Sequence, residues 1–299
     1  MSTRFALTFA TALALALASG AASAGNGTVV VDENGSDRIN FANRLGMLAE
    51  RIPAAACAKA MGIATEQAGP ILAIASSNFV RVLDALEKGN RGMNIVAPEG
   101  DRRILQDIST LRTAWAPVAT KAAALSSQQV RPTEAMDMVA AAPALRDRAE
   151  RLTSRISGEY ADPAQLLQRD ALTLEIAGRQ RILSQSIAKE ACQLAGDPAN
   201  GQARATLAQD IRMYSASLAA LRNGMPELGI STPPNARIRD GLAEIDGHWT
   251  QVTPVLTRLA AGVPLSEAEN ALVYTEMNRV LGLMNTLVTL YSKASKQEL

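Results

Sequence analysis

The chain repeats itself, and no other feature limits its fold as much. Ile39-Asn40-Phe41-Ala42-Asn43-Arg44-Leu45-Gly46-Met47-Leu48 lies over Leu174-Glu175-Ile176-Ala177-Gly178-Arg179-Gln180-Arg181-Ile182-Leu183 at an offset of 135. At that offset Ile52 meets Ile187, Cys57 meets Cys192, Phe79 meets Tyr214, Gly89 meets Gly224 and Ile95 meets Ile230. The two tryptophans, Trp115 and Trp249, agree to within one residue of it. Joint chance agreement of both Cys and both Trp is improbable. The sequence therefore holds two copies of one unit, at about 35–160 and 163–295.

Each copy reads as four helices. In the second, Asp162-Pro163 is an N-cap followed by proline at the first helical position. That helix runs to Gly196, before the break Gly196-Asp197-Pro198. The next covers about 199–223 and stops at Asn223-Gly224. A third follows Pro233-Pro234 and runs to about Ala261. Ser266-Glu267-Ala268-Glu269 is a capping box that opens the fourth. The first copy breaks at Gly62, between Gly89 and Gly100, and at Pro132. Val29-Val30-Val31 is the one β-branched run, and it reads as part of an extended lead over 25–34. The expected fold is all-α: two tandem antiparallel four-helix bundles, side by side as a pseudo-dimer, with end-to-end stacking the alternative, against which Pro163 argues mildly.

Before the repeats stands a different kind of segment. Met1-Ser2-Thr3-Arg4 is a short positive start, Phe5 to Ala18 is apolar, and Ala22-Ser23-Ala24 is a small-residue cleavage site. Residues 1–24 thus read as a secretory signal peptide, since the apolar run is short for a span of ~20 residues. No later segment is apolar for as long as a span requires, so the cleaved chain is expected to be soluble and periplasmic. An oxidising compartment allows Cys57 and Cys192 to pair.

Composition excludes several functions. Thirty basic residues against 29 acidic ones give a formal charge of +1, which supplies no field for nucleic acid. One histidine, His248, and two distant cysteines do not make a zinc site. Gly89-Asn90-Arg91-Gly92 is a helix break, not a phosphate loop, and Ser184 and Ser186 have no general base in view. Neither an enzyme nor a cofactor is expected.

The first helix of each copy has two packing faces. Leu172, Ile176, Leu183, Ile187 and Leu194 form one stripe at ~100° per residue, facing their own bundle. Behind them lie Leu174, Ala177, Arg181, Ala188, Cys192 and Ala195, a face with a single charge. In the first copy Phe41, Leu48 and Ile52 make the stripe, with Ile39, Ala42, Gly46, Cys57 and Ala60 behind. The two back faces suit a direct contact across a pseudo-twofold axis. Burial in the middle of a globular assembly is the other reading. Face-to-face packing brings Cys57 and Cys192 together, and a disulfide there contributes ~2–4 kcal/mol. If they do not pair, each is a small buried packing residue.

The stretch Leu174-Glu175-Ile176-Ala177-Gly178-Arg179-Gln180-Arg181-Ile182-Leu183-Ser184-Gln185 resembles the opening motif of PilJ-type domains. These are the N-terminal periplasmic domains of type IV pilus methyl-accepting chemotaxis transducers, similar to the sensor domains of nitrate/nitrite-responsive kinases. The first copy resembles the motif more loosely. The resemblance implies a helical sensory module that binds a small anion such as nitrate or nitrite. In the nitrate-responsive branch an arginine of the first helix binds the anion at the dimer axis, and Arg181 occupies that place here. The helical wheel separately puts Arg181 on the back face. Gly46 stands at the equivalent position of the first copy, so one chain offers no symmetric pair of arginines. Either Arg181 serves alone, or a homodimer pairs two copies of it, or the anion site is lost.

Further candidates follow from the same motif. Arg44 and Arg179 recur in both copies; each is either a structural arginine or a ligand contact, because a guanidinium fork suits a planar oxyanion. Gly178 and Gln185 are candidate neighbours, and Lys189 is a weaker one. A secreted sensor without its own output would act through a membrane receptor, sensor kinase or transporter component. The alternative is a structural or interaction protein in which the motif only packs helices.

Overall fold

A computed structural model describes residues 35–127, 132–160 and 168–297. The signal-peptide reading of 1–24, the lead over 25–34 and the Asp162-Pro163 cap lie outside the described residues. Among those described there are eight α-helices: α1 (Gly35–Ala60), α2 (Thr65–Lys88), α3 (Arg102–Ser127), α4 (Pro132–Tyr160), α5 (Gln168–Gly196), α6 (Gly201–Asn223), α7 (Ala236–Ala260) and α8 (Glu267–Gln297). The first four pack as one antiparallel bundle and the last four as a second, and the two meet along α1 and α5.

The punctuation behaves as its chemistry requires. Asn200 and Asn235 cap α6 and α7 by accepting from the backbone N–H groups of Ala203 and Ile238, at 2.9 and 3.0 Å. The Ser266 box closes reciprocally: Ser266 N donates to the Glu269 carboxylate at 2.9 Å, and Glu269 N donates to Ser266 Oγ at 3.3 Å. Gly89 and Gly224 end α2 and α6 with φ of 80° and 73°. An added Cβ at either would come within 3.0 or 3.1 Å of backbone, so both conformation and space require glycine. Ile95 and Ile230 then fold back and plug the bundle ends. Pro53, Pro117, Pro143 and Pro254 sit inside helices without ending them.

Each bundle has its own apolar core, and equivalent residues fill it. Phe79 stacks on Trp115 at 4.5 Å, and Tyr214 meets Trp249 at 4.2 Å in the matching place. Aliphatic side chains of all four helices complete each core. The cores interlock at the seam, where Leu281 packs into the first core and Ala54, Ala58 and Val139 into the second. One expectation needs correcting. α2 is long and apolar enough, by length and composition, to cross a membrane. Its Leu72, Ala75, Phe79, Leu83 and Leu86 are nonetheless buried in the first bundle, as in an amphipathic core helix.

Candidate functional site

The seam between α1 and α5 is built from the two back faces. Gly46 lies against Ile182, Glu50 against Lys189, Cys57 against Cys192 and Gly196 against Met61. Partners rise together along both helices, so the helices run parallel. Small residues permit the approach; a Cβ on Gly46 would stand 3.2 Å from Ile182 Cδ1. Cys57 and Cys192 form a disulfide with a Cα separation of 6.1 Å, as face-to-face packing implies.

Arg181 lies within this seam. Its side chain is 2% exposed. Nη1 donates to Asn40 Oδ1 at 3.3 Å and to Asn285 Oδ1 at 3.4 Å, both long contacts, and Nε has no hydrogen-bond partner. Asn40 comes from α1 and Asn285 from α8. No carboxylate pairs with Arg181 among the described residues. Gly178 lies one turn before it, and a Cβ there would stand in ordinary contact with Nη2, at 3.5 Å. Burial, reinforced by repulsion from Arg44, lowers the Arg181 pKa to about 10. It remains charged at neutral pH, so the seam holds a guanidinium without counter-charge. A buried cation of this kind is costly unless an anion joins it.

The other arginines have different surroundings. Arg44 is half-buried, 4.9 Å above the Phe41 ring, with its pKa lowered by burial and by Arg81. The Arg44 charge adds to burial in lowering the Arg181 pKa. Arg179 is 57% exposed and pairs with Glu175 one turn back at 3.5 Å. The structure does not bring it to Arg181. Gln185 is buried and donates to the carbonyl of Met277 at 3.3 Å, which ties α5 to α8.

Two turns beyond Arg181 is a second buried polar cluster, which the motif did not predict. Glu50 Oε2 meets Lys189 Nζ at 2.6 Å, and its other oxygen accepts from Arg146 of α4 at 3.0 Å. Lys189 also meets Glu190 at 3.0 Å. Burial alone would lower the Lys189 pKa, but Glu50 and Glu190 outweigh it and raise it. Burial raises Glu190 and Asp210, partly opposed by Lys189 and by Ser186 respectively. The spacing of Lys189 from Arg181 was visible in sequence; its pairing with Glu50, and that of Glu50 with Arg146, was not, because these partners come from α1 and α4. His248, on α7, pairs with Glu276 at 2.7 Å. No group of three or more metal-ligating side chains occurs among the described residues. The open grooves on α4, lined by Asp147, Arg151 and Arg155, and on α2, lined by Arg81 and Lys88, do not reach Arg181.

Comparison with known proteins agrees with this architecture. The family model described as type IV pili methyl-accepting chemotaxis transducer N-term matches twice, over residues 30–139 and 164–275. A similar protein is the methyl-accepting chemotaxis protein McpN of Pseudomonas aeruginosa, 35% identical over 126 residues. The matched stretch is 40% of this chain but only 22% of that relative, so the likeness concerns one part of the larger protein. With both bundles matched and α1 and α5 joined as equivalent halves, the chain belongs to the PilJ family, as a tandem pair of its domains.

Proposed function

We propose that this chain is a periplasmic sensory protein that binds one small oxyanion, of the nitrate or nitrite class, at Arg181. It would report occupancy to a partner such as a membrane receptor, sensor kinase or transporter component. Family membership and the similar chemotaxis transducer support the sensory role. The observation that carries the anion reading is Arg181 itself, buried and charged without a carboxylate, with Nε unpartnered. A planar anion can accept two parallel hydrogen bonds from such a fork and neutralise it. Gly46 leaves room for a single site per chain. The Arg181 side chain is buried in the seam of one chain, which supports a site formed within that chain over one paired across a homodimer.

Signalling follows from the geometry of the seam. Ligand must favour one arrangement of α1 against α5 over another. The disulfide fixes the helices at Cys57 and Cys192. Arg181 lies 11 residues from Cys192, or ~16 Å along the helix, on the side of the α1 and α5 N-termini. A change in spacing at Arg181 would therefore be largest at that end.

Calorimetry with sodium nitrate and sodium nitrite tests the proposal, on the wild type and on Arg181→Gln. Binding of one anion per chain that disappears in the variant is the expected result. Absence of heat from both anions would leave the seam as a structural joint. Binding unaffected by Arg181→Gln would move the site elsewhere.

A further inference from the structure

Arg181 lacks a counter-ion because of two residues outside its own helix. The other half of the internal repeat has the opposite arrangement. The offset of 135 that relates Cys57 to Cys192 also relates Gly46 to Arg181, Asn40 to Glu175 and Glu150 to Asn285. Buried positions of α4 and α8 follow the same offset: Leu145 matches Val280, Leu152 matches Leu287 and Ile156 matches Tyr291. The half-sites are thus opposite in charge. Where the seam carries a cation, the two flanking positions are carboxamides. Where it carries glycine, they are glutamates, which reach outward to Arg146 at 3.6 Å and Arg179 at 3.5 Å.

Carboxamide chemistry adds direction. A guanidinium has only donors, so both asparagines must turn Oδ1 toward Arg181 Nη1, as found at 3.3 and 3.4 Å. Each Nδ2 then remains as a donor beside the guanidinium. Both residues are half-buried, whereas Arg181 is buried.

On the strength of the anion reading above, we propose that Asn40 and Asn285 are specificity-determining residues of the Arg181 site. They keep the guanidinium free of internal counter-charge, and they donate Nδ2 hydrogen bonds to the bound oxyanion. A carboxylate in either place would act as a built-in anion: it would neutralise Arg181 and exclude the external one.

Isosteric substitutions separate these roles. Asn285→Asp supplies the carboxylate, Asn285→Leu removes both the carbonyl and the donor, and Asn40→Asp repeats the charge test from α1. Nitrate and nitrite affinity is read by calorimetry, and Tm in anion-free buffer by thermal unfolding, with Arg181→Gln as the second background. Asn285→Asp is expected to lower anion affinity at least 100-fold and to raise the anion-free Tm toward that of nitrate-saturated wild type. The gain should vanish in the Arg181→Gln background, a result that a merely structural asparagine would not give. Asn285→Leu is expected to lower affinity about 10-fold without raising Tm. Wild-type affinity in Asn285→Asp and Asn40→Asp, or a Tm change independent of Arg181, would overturn the proposal. If the wild type binds neither anion, the functional reading and the donor role both fail. The counter-charge role is then decided by the Arg181-dependent Tm shift alone.

Discussion

Arg181 and Lys189 stand two turns apart on α5, both buried in the seam, yet they meet opposite partners. Lys189 faces the Glu50 carboxylate at 2.6 Å and Glu190 at 3.0 Å, and its charge is compensated. Arg181 faces two carboxamide oxygens at 3.3 and 3.4 Å and repulsion from Arg44. The first region behaves as a joint, holding α1, α4 and α5 together. The second holds charge in reserve. Removing a partner from a satisfied buried pair is expensive, whereas adding a partner to an unsatisfied cation is favourable. Burial does not distinguish the two residues; local charge balance does.

The largest effect is expected at the joint. Glu50→Gln leaves Lys189 and Arg146 facing a neutral amide and should destabilise the fold by ~3–5 kcal/mol in urea denaturation. Its repeat-equivalent Gln185 is equally buried but bonds only a carbonyl, so Gln185→Leu should cost ~1 kcal/mol. Equal losses would break the contrast between a charged joint and a neutral one.

Next comes the covalent tie. Cys57→Ala with Cys192→Ala should lower stability by ~2–4 kcal/mol, because the cross-link closes a long loop. The same double variant should widen the change that nitrate induces between spin labels at the N-terminal ends of α1 and α5. An unchanged distance distribution would show that the disulfide does not act as the pivot.

A smaller effect sharpens the joint further. Burial raises the pKa of Asp210 and Glu190 above their ordinary values of 3.8 and 4.5. The folded state thus binds more protons than the unfolded chain in the weakly acid range. Their contribution to stability is full below the ordinary values and is lost as pH rises through the raised ones. Asp210→Asn should therefore stabilise the protein by ~1 kcal/mol at pH 7 and flatten that part of the pH profile. An unchanged profile would place the titration elsewhere in the cluster.

The smallest effect separates the two motif arginines. Arg179→Ala loses an exposed one-turn pair with Glu175, worth ~0.3–0.5 kcal/mol, and should leave anion affinity unchanged. A loss of affinity matching that of Arg181→Gln would make the solvent face part of the site.

Much of the fold could be read before any coordinates. Glycine at Gly89 and Gly224 and the capping box at Ser266 are local signals, set by backbone conformation or by a short span of residues, whereas the cysteine pairing followed from the repeat offset and the two back faces. The back faces of α1 and α5 were legible because helical periodicity assigns each residue a direction. The partners on those faces were not. Asn285 lies on α8, outside the repeated motif, and reaches Arg181 only through the way α8 packs on α5. Arg146 reaches Glu50 across 96 residues for the same kind of reason. The apolar character of α2 was underread, because a continuous-run criterion misses a helix whose mean hydropathy is high between scattered polar residues.

The sequence alone determined the duplication, the helical class, the two-faced first helices and the place of Arg181 among small residues. These depend on spacing along one chain, and periodicity conveys spacing faithfully. Only the tertiary structure decided which buried cation is neutralised. Charge compensation depends on the spatial distance to groups that other helices bring in, and separation along the chain does not fix that distance.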